Sequence, residues 1–268
     1  MAFVSSRNSR LLRLSFASSP GVDIIKFLLV IVALGWLLYR GTERLGYNWQ
    51  WHRVPQYLVS FEDGKLILGP LMDGLIVTLR ICVWSLLLAA LVGLLTALMR
   101  MSDSLVGKAL ARSYLEIIRN TPLLVQLFFI YFVLAPVLGI GRFTAGVLAL
   151  SLFEGAYASE IFRAGIVSVD IGQWEACYSL GLSVIHTYRY IILPQAIRRI
   201  LPPLTSQAVS LIKDSALVTT IAIYDLTMQA QVVISETFLT FEVWFTVAAI
   251  YLILTVVLST IADILAST

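Results

Sequence analysis

Four ionisable residues stand inside long apolar stretches of the sequence: Glu154, Glu160, Lys213 and Asp214. An ionisable side chain at the centre of a bilayer costs about 2.5 to 3.5 kcal/mol on insertion scales, so such residues usually face protein or water. Glu160 has Arg163 three residues later, which predicts a local ion pair on one helix face. Glu154 has no such neighbour, and we therefore consider it a candidate for the lining of a substrate cavity.

Lys213 and Asp214 are adjacent, and neighbouring residues of a helix do not face each other. Either they pair with different groups, or the helix is locally broken there, with Ser210 and Ser215 satisfying the freed backbone. A salt-bridge clamp between helices is the structural alternative to a role on a substrate path.

Sequence motifs for enzymatic chemistry are absent. No G-x-x-x-x-G-K-[ST] loop is available to cradle phosphates, and no G-x-S-x-G elbow presents a nucleophile. His52 and His186 cannot form an H-E-x-x-H site, and Cys82 and Cys177 show no metal-ligand spacing. We therefore expect no catalytic residue, no metal site and no cofactor in this chain, and any ATP chemistry must lie on another chain.

The composition is that of a membrane protein. Apolar residues make up 59% of the 268 residues and charged residues 13%, with a mean hydropathy of +0.89. Soluble domains contain about 45 to 50% apolar residues and about 25% charged residues. The net charge of +3 is too small for a chain of this length to indicate nucleic-acid binding.

Six segments approach the roughly 20 apolar residues that a membrane-spanning helix needs. We therefore predict an all-α membrane protein with six transmembrane helices. The first segment is preceded by arginines, as in a signal peptide, but its far flank offers no small-x-small cleavage site, which favours a retained signal anchor. The predicted spans are residues 24–39, 79–99, 123–139, 143–161, 201–224 and 241–265.

The connecting segments predict the orientation of the chain. Most Lys and Arg residues fall on the side of the N-terminus, which places both termini in the cytoplasm. Residues 40–74 are then external, and their tryptophans and tyrosines predict an aromatic belt. Pro122, Pro202 and Pro203 stand where spans are expected to begin, and proline is tolerated in the first turn of a helix.

The cytoplasmic segment 165–193 predicts two short helices joined by a glycine turn. Asp170, with a glutamine three residues later, is typical of a capping box. Gly181 suits a left-handed C-cap, and Ser183 can cap a second helix. Pro194 should then break that helix.

This segment resembles a family signature. Glu175-Ala-Cys, then Gly181, then Ile192-Leu-Pro194 is similar to the E-A-A-x3-G-x9-I-x-L-P pattern of binding-protein-dependent ABC-importer permeases. Arg119-Asn-Thr-Pro-Leu-Leu-Val-Gln126 and Lys213-Asp-Ser215 are similar to the branch that transports polar amino acids. The likeness extends over residues 75–265.

The resemblance implies a fold and a division of the chain. It implies a five-helix type I ABC-importer core over residues 75–268, with a cytoplasmic coupling helix-turn-helix. Residues 1–74 would form an N-terminal arm, an extra transmembrane helix and a periplasmic loop. This longer form fits members that import acidic and neutral polar amino acids.

The resemblance also implies partners in a bacterial inner membrane. These would be a cytoplasmic ABC ATPase dimer that binds ATP and Mg, a second permease subunit, homologous or identical, and a periplasmic amino-acid-binding protein. The amino-acid substrate and membrane lipid are also expected partners, and binding of nucleic acid is not expected. Glu175, Ala176, Gly181 and Pro194 would couple to the ATPase.

The charges in the spans acquire a substrate role from the same resemblance. An amino acid carries a carboxylate and an ammonium group, and a cavity without water must provide a polar or charged partner for each of them. Lys213 could meet the carboxylate, and Glu154 or Asp214 the ammonium. Three alternatives stay open: a secondary transporter driven by an ion gradient, which should show an internal repeat; a channel; and, for the cytoplasmic segment, an amphipathic loop on the membrane surface.

Overall fold

The computed structural model describes residues 20–44, 46–62 and 64–267. These residues form helices and one β-hairpin, joined by short turns and loops. Two stretches of π-helix, Phe129–Leu134 and Thr187–Ile192, and two 3₁₀ segments, Trp51–Arg53 and Ser215–Ile221, lie between or beside the α-helices. The elements are α1 Pro20–Arg44, α2 Pro55–Leu58, β1 Val59–Glu62, β2 Lys65–Leu68, α3 Pro70–Met101, α4 Leu105–Arg119, α5 Leu123–Phe128, α6 Ala135–Leu138, α7 Arg142–Val167, α8 Ile171–Ser179, α9 Val184–His186, α10 Leu193–Asp214, α11 Leu226–Thr237 and α12 Thr240–Ser267.

Six membrane spans are compatible with these helices. Four stretches are long and apolar enough on their own: Gly21–Gly41, α3, α7 and Thr240–Ile261. Two bent helix pairs qualify when each counts as one span. The first combines α4 with residues 123–138 at 107°, and the second combines residues 184–221 with α11 at 51°.

The contacts divide the chain into two compact units, residues up to Trp49 and residues from Gln50 onward. The first contains α1, where Lys26 forms an ion pair with Asp23 one turn earlier at 3.5 Å. The second contains all the other elements. The division at residue 75 stays a prediction.

Small residues let α3 and α7 pack closely in the second unit. A Cβ added to Gly93 would lie 2.9 Å from the Cβ of Ala158 and 3.0 Å from the carbonyl oxygen of Gly155. Gly146, earlier in α7, faces Ile81, earlier in α3, so the two helices run in the same direction. Close backbone approach through Gly and Ala is typical of helix pairs in membranes, where packing rather than hydrophobic burial drives association.

The segment before α3 contacts the start of α12. The Gln50 N–H donates to Glu242 at the start of α12, at 2.6 Å. The hairpin, which the sequence did not indicate, pairs Val59 with Leu68 and Phe61 with Leu66. The aromatic belt predicted for residues 40–74 stays a prediction.

One predicted loop is a helix. The predicted spans 201–224 and 241–265 leave a connection between them, and α11 occupies most of that connection. Asp225 caps α11 by accepting from the Met228 N–H at 2.9 Å, and Phe238 ends it with a left-handed φ of 61°. The Leu226 N–H donates to Thr78 of α3 at 3.1 Å, which fixes the helix start. The sequence signal for this helix is Asp225, because an aspartate at this position favours a helix in the residues that follow it.

The prolines do not break the chain where expected. Pro194 lies in the first turn of α10, and the helix continues from α9 through Thr187–Ile192 into α10, so the predicted break is wrong. The π-helical stretch supplies the irregular turn that accommodates a missing N–H. Pro202 and Pro203 lie inside α10 rather than at its start, because the helix begins eight residues earlier than expected. Pro122 does stand at a helix start, as the N-cap of α5.

Candidate functional site

The turn between α8 and α9 is a complete Schellman motif. Gly181 has a left-handed φ of +69°. The Leu182 N–H donates to the Cys177 carbonyl and the Gly181 N–H to the Tyr178 carbonyl, each at 3.0 Å. The predicted glycine C-cap is therefore confirmed, and so is the helix that precedes it.

The two predicted N-caps of this segment are also confirmed. The Asp170 carboxylate accepts from the Gly172 N–H at 2.7 Å, at the start of α8. The glutamine of the expected capping box does not close it, since the Gln173 side chain accepts from Gln195 at 3.4 Å instead. Ser183 accepts from the backbone N–H of His186 at 3.4 Å and caps α9.

The residues predicted to couple to an ATPase are exposed. Glu175, Ala176 and Gly181 lie on the outer side of the turn, and a Cβ at Gly181 would meet nothing within 4 Å. Apolar side chains share this surface, where Leu180 is 78% exposed. Exposed apolar residues grouped around a rigid turn are typical of a protein-binding site. We call this group, Glu175, Ala176, Tyr178, Leu180, Gly181 and Ile185, the elbow surface.

The inner side of the elbow packs on the ends of α7 and α10. A Cβ at Gly165 of α7 would overlap Ile200 of α10, so the two helices touch there. Trp174 of α8 packs against the buried cluster that these two helices form there, and its ring meets Tyr188 edge to face with centroids 5.2 Å apart. The elbow is therefore braced against both helices rather than hanging from a loop.

Hydrogen bonds link the elbow to α10. The Gln195 amide donates to the Ile191 carbonyl at 2.9 Å as well as to Gln173 of α8. The Arg199 guanidinium donates to the Ser168 carbonyl and, at 3.0 Å, to the Ser168 hydroxyl, just before α8. In the sequence, Arg199 only adds to the excess of positive charge that predicts the orientation of the chain in the membrane. No local spacing identifies this contact, because its residues are 31 positions apart.

A polar group lies between α7 and α10 inside the spans. Glu154 is 1% exposed, and one of its carboxylate oxygens accepts from the Gln207 amide. The Asp214 carboxyl interacts electrostatically with the same glutamate. The second oxygen of Glu154 is buried and accepts from no N–H group among the described residues, so the Asp214 carboxyl is the other polar group that faces Glu154. We call Glu154, Gln207 and Asp214 the intramembrane group.

Sequence reasoning found two of the three members of this group. Gln207 was missed, although it stands seven residues before Asp214 and so shares its helix face. The expectation that Glu154 lacks a partner holds along the chain but not across it, because Gln207 is 53 residues away.

Lys213 differs from its neighbour in its surroundings. Its side chain is exposed, whereas Asp214 is half-buried, and no salt bridge in the described part of the chain includes Lys213. The α-helix ends at Asp214 and tightens into the 3₁₀ segment, where the Ser215 hydroxyl donates to the Ile212 carbonyl at 2.7 Å. The predicted local irregularity is therefore confirmed.

Glu160 stands at the centre of an ion cluster. Its carboxylate lies 2.7 Å from Arg100, 3.0 Å from Arg119 and 3.4 Å from Arg163. The predicted pair with Arg163 is present, but the two shorter contacts come from other helices. The cluster therefore ties the ends of α3 and α4 to α7.

The sequence matches the family described as "Binding-protein-dependent transport system inner membrane component" over residues 89–267. The chain belongs to this family. It is 42% identical over 192 residues to the glutamine transport system permease protein GlnP of Escherichia coli (strain K12). That alignment covers 70% of this chain and 88% of the relative.

Solved structures agree with the family assignment. A crystal structure of an amino acid ABC transporter with histidines matches with a TM-score of 0.69 and 43% identity, covering 74% of this chain and 93% of that one. An inward-facing form of the MetNI methionine ABC transporter matches with a TM-score of 0.64, covering 74% and 95%. At 18% identity, the second likeness shows the fold alone.

Family membership fixes the broad role of the protein. This permease has the type I importer fold, with four to six candidate spans and a helix-turn-helix, α8 and α9, between α7 and α10. It is a multi-pass inner-membrane subunit of an ABC importer and not an enzyme, because the ATPase is a separate subunit. An ATPase and a binding protein are its expected partners by membership of the family.

Proposed function

We propose that this permease is the translocation subunit of an ATP-driven importer of polar amino acids, in which the elbow surface receives the movement of the ATPase. The observation that carries the proposal is the helix that runs without a break from Val184 to Asp214. About 30 residues at 1.5 Å each make a rod of about 45 Å. One end of the rod belongs to the elbow, and the other carries Gln207 and Asp214 of the intramembrane group.

Coupling would pass through the exposed residues of the elbow. Glu175, Ala176 and Gly181 would contact a groove on the ATPase, and Pro194 would set the geometry of the first turn of α10. ATP and Mg would be bound by the ATPase dimer. Its closure would displace α8, and the Gln195 and Arg199 hydrogen bonds would carry that displacement to α10.

The intramembrane group would line the substrate path. Lys213, exposed beside the group, would meet the substrate carboxylate, and Glu154 with Asp214 would meet the ammonium. The proximity of the Glu154 and Asp214 carboxyls supports this role, because two like charges held together in a buried site are costly until a cation joins them. Two carboxylates oppose a third, so we expect neutral polar substrates to be preferred over acidic ones. The glutamine relatives support the same choice.

The assembly would contain two permease subunits, identical or homologous, with the binding protein on the periplasmic side. The elbow surface and both termini would be cytoplasmic, because the arginines around Glu160 and the elbow lie at that end of the bundle and positive charge favours the cytoplasm.

Reconstitution tests the proposal. Vesicles that contain the permease, its ATPase and its binding protein should accumulate labelled glutamine only when ATP is present on the ATPase side. The chain alone should neither hydrolyse ATP nor transport. Uptake by the chain alone, driven by a proton or sodium gradient, would overturn the proposal in favour of a secondary transporter.

A further inference from the structure

A cavity lined by basic side chains opens between the ends of α3, α4 and α7. Its volume is about 370 Å³, and the coupling elbow does not contribute to it. Its charged lining consists of Arg100, Lys108, Arg112, Glu116, Arg119 and Glu160.

The acidic residues of this cavity are already engaged. Glu160 holds Arg100, Arg119 and Arg163 at 2.7 to 3.4 Å. The Glu116 carboxylate accepts from the Asn120 amide at 3.0 Å. Three arginines around one glutamate leave a surplus of positive charge, to which the other cations of the cavity add.

Lys108 and Arg112 make no salt bridge in the parts of the chain that the structure describes, and both are exposed. They stand four residues apart on α4, so they project side by side into the same cavity. Two unpaired cations beside a cationic cluster are suited to a multivalent or phosphate-bearing anion.

The remaining faces of α4 indicate where such an anion comes from. Val106, Leu110 and Ile117 form an exposed apolar stripe at spacings of four and seven residues. This stripe lies on the side of the helix opposite the basic one, and the buried Ala111 and Leu115 face the protein. A basic face opposite an apolar face is typical of a helix that lies at the membrane surface.

The direction of α4 fits that position. It is bent by 107° from the span that follows it, so it runs nearly across the direction of residues 123–138. An interfacial helix lies in the plane of the membrane with its basic side chains at the level of the lipid phosphates. Its apolar stripe then contacts the acyl chains.

We propose that this basic cavity binds the headgroup of an anionic phospholipid at the membrane surface, where the apolar stripe anchors the opposite face of α4 in the acyl chains. Basic pockets between transmembrane helices recognise anionic headgroups in this way, since each nearby Lys or Arg adds attraction. The shared chemistry is a phosphate group, and the position of α4 at the membrane surface, which the apolar stripe maintains, favours the lipid over free phosphate. The bound lipid would fix the position of α4 against α3 and α7.

The test compares two charge variants of the full-length protein, purified in detergent and stripped of lipid. Lys108→Gln with Arg112→Gln removes the two unpaired cations of the cavity. Lys65→Gln with Arg80→Gln makes the same change in charge at exposed positions outside the cavity and serves as the matched control. Native mass spectrometry measures the bound phosphatidylglycerol, phosphatidylcholine and inorganic phosphate.

We expect wild type and control to retain phosphatidylglycerol in preference to phosphatidylcholine. The cavity variant should bind phosphatidylglycerol more weakly by about fivefold for each charge removed. Leu110→Ser should lower lipid retention without changing the binding of phosphate.

Three results would overturn the proposal. The first is equal retention of phosphatidylglycerol by the cavity variant and the control. The second is phosphate binding as strong as lipid binding and equally sensitive to the cavity variant, which would make this a site for a soluble anion. The third is the loss of a protein subunit, rather than lipid, from the cavity variant, which would assign the surface to a protein partner.

Discussion

Gly181 is the residue of the elbow whose replacement gives the clearest test of coupling. Its φ of +69° is strained for any residue with a Cβ, and most strained for a β-branched one. Apart from its two neighbours, nothing in the described part of the chain lies within 4 Å of a Cβ placed there, so the cost of substitution comes from the backbone and not from a clash.

We predict that Gly181→Val distorts the Schellman turn and separates transport from ATP hydrolysis. The local cost should be about 1 to 2 kcal/mol, too little to unfold the spans. Gly181→Asn is the matched control, because Asn tolerates the left-handed conformation. The measurement is the ATPase rate of reconstituted vesicles with and without loaded binding protein. A normal stimulation in the Val variant would count against the coupling role.

The charges in the spans should affect uptake more than stability. Glu154→Gln keeps the shape of the side chain and one acceptor oxygen but removes its charge, and Lys213→Met keeps the apolar stem. A lost charge-assisted hydrogen bond of about 1.5 to 3 kcal/mol would lower substrate uptake more than tenfold. Glu236→Gln, on an exposed part of α11, is the control.

Thermal stability and uptake should be measured on the same preparations. A path residue loses uptake at unchanged stability, whereas an interhelical clamp loses stability. Variants of Glu154 and Lys213 that transport at the wild-type rate, with the same substrate preference, would show that these charges do not line the path.

At this scale the sequence predicted what is decided within a few residues. Asp170, Gly181 and Ser183 were predicted as helix caps, because capping depends on the residue and its next two or three neighbours. The partners of Glu154 and Glu160 could not be predicted in the same way. Gln207 and Arg100 come from other helices, and their positions depend on how those helices pack.

Among the elements, the helices were predicted better than their ends and connections. All six predicted spans contain helix, because a long apolar run leaves the backbone no other way to satisfy its hydrogen bonds in lipid. α4 and α11 were missed, since both are short and neither is a continuous apolar run. The prolines of α10 do not mark the helix ends that were predicted. The π-helical turn at residues 187–192 accommodates Pro194, and Pro202 and Pro203 lie inside the helix at exposed positions.

The closest packing of α3 on α7 gives a prediction about stability. Gly93→Leu should force the two helices apart, at a cost of about 1 to 3 kcal/mol from overpacking. Gly35→Leu, in the middle of α1, adds the same side chain inside a helix where nothing in the described part of the chain lies within 4 Å, and should change stability little. The thermal denaturation midpoints of the two variants in one detergent provide the comparison. Equal midpoints would show that the helices are not held together at Gly93.

For the whole molecule, the account depends on a rigid connection between two distant sites. The helix from Val184 to Asp214 carries Ile185 of the elbow surface near one end and Gln207 and Asp214 of the intramembrane group towards the other. The hydrogen bonds of Gln195 and Arg199 hold the elbow to that helix. The resemblance in the sequence indicated both sites, but only the continuity of the helix through Pro194 shows a physical link between them.

Access to the path during the ATPase cycle tests this link most directly. Ser206, exposed on α10 and seven residues before Lys213 on the same helix face, can be replaced by Cys after the two native cysteines, both buried, have been changed to Ala. The measurement is the labelling rate of this thiol by a membrane-impermeant reagent added to the binding-protein side of reconstituted vesicles. We predict that a non-hydrolysable ATP analogue on the ATPase side raises this rate in the otherwise wild-type protein and leaves it unchanged when Gly181→Val is also present. A rate that does not respond to the nucleotide, or that rises equally in both proteins, would contradict the account.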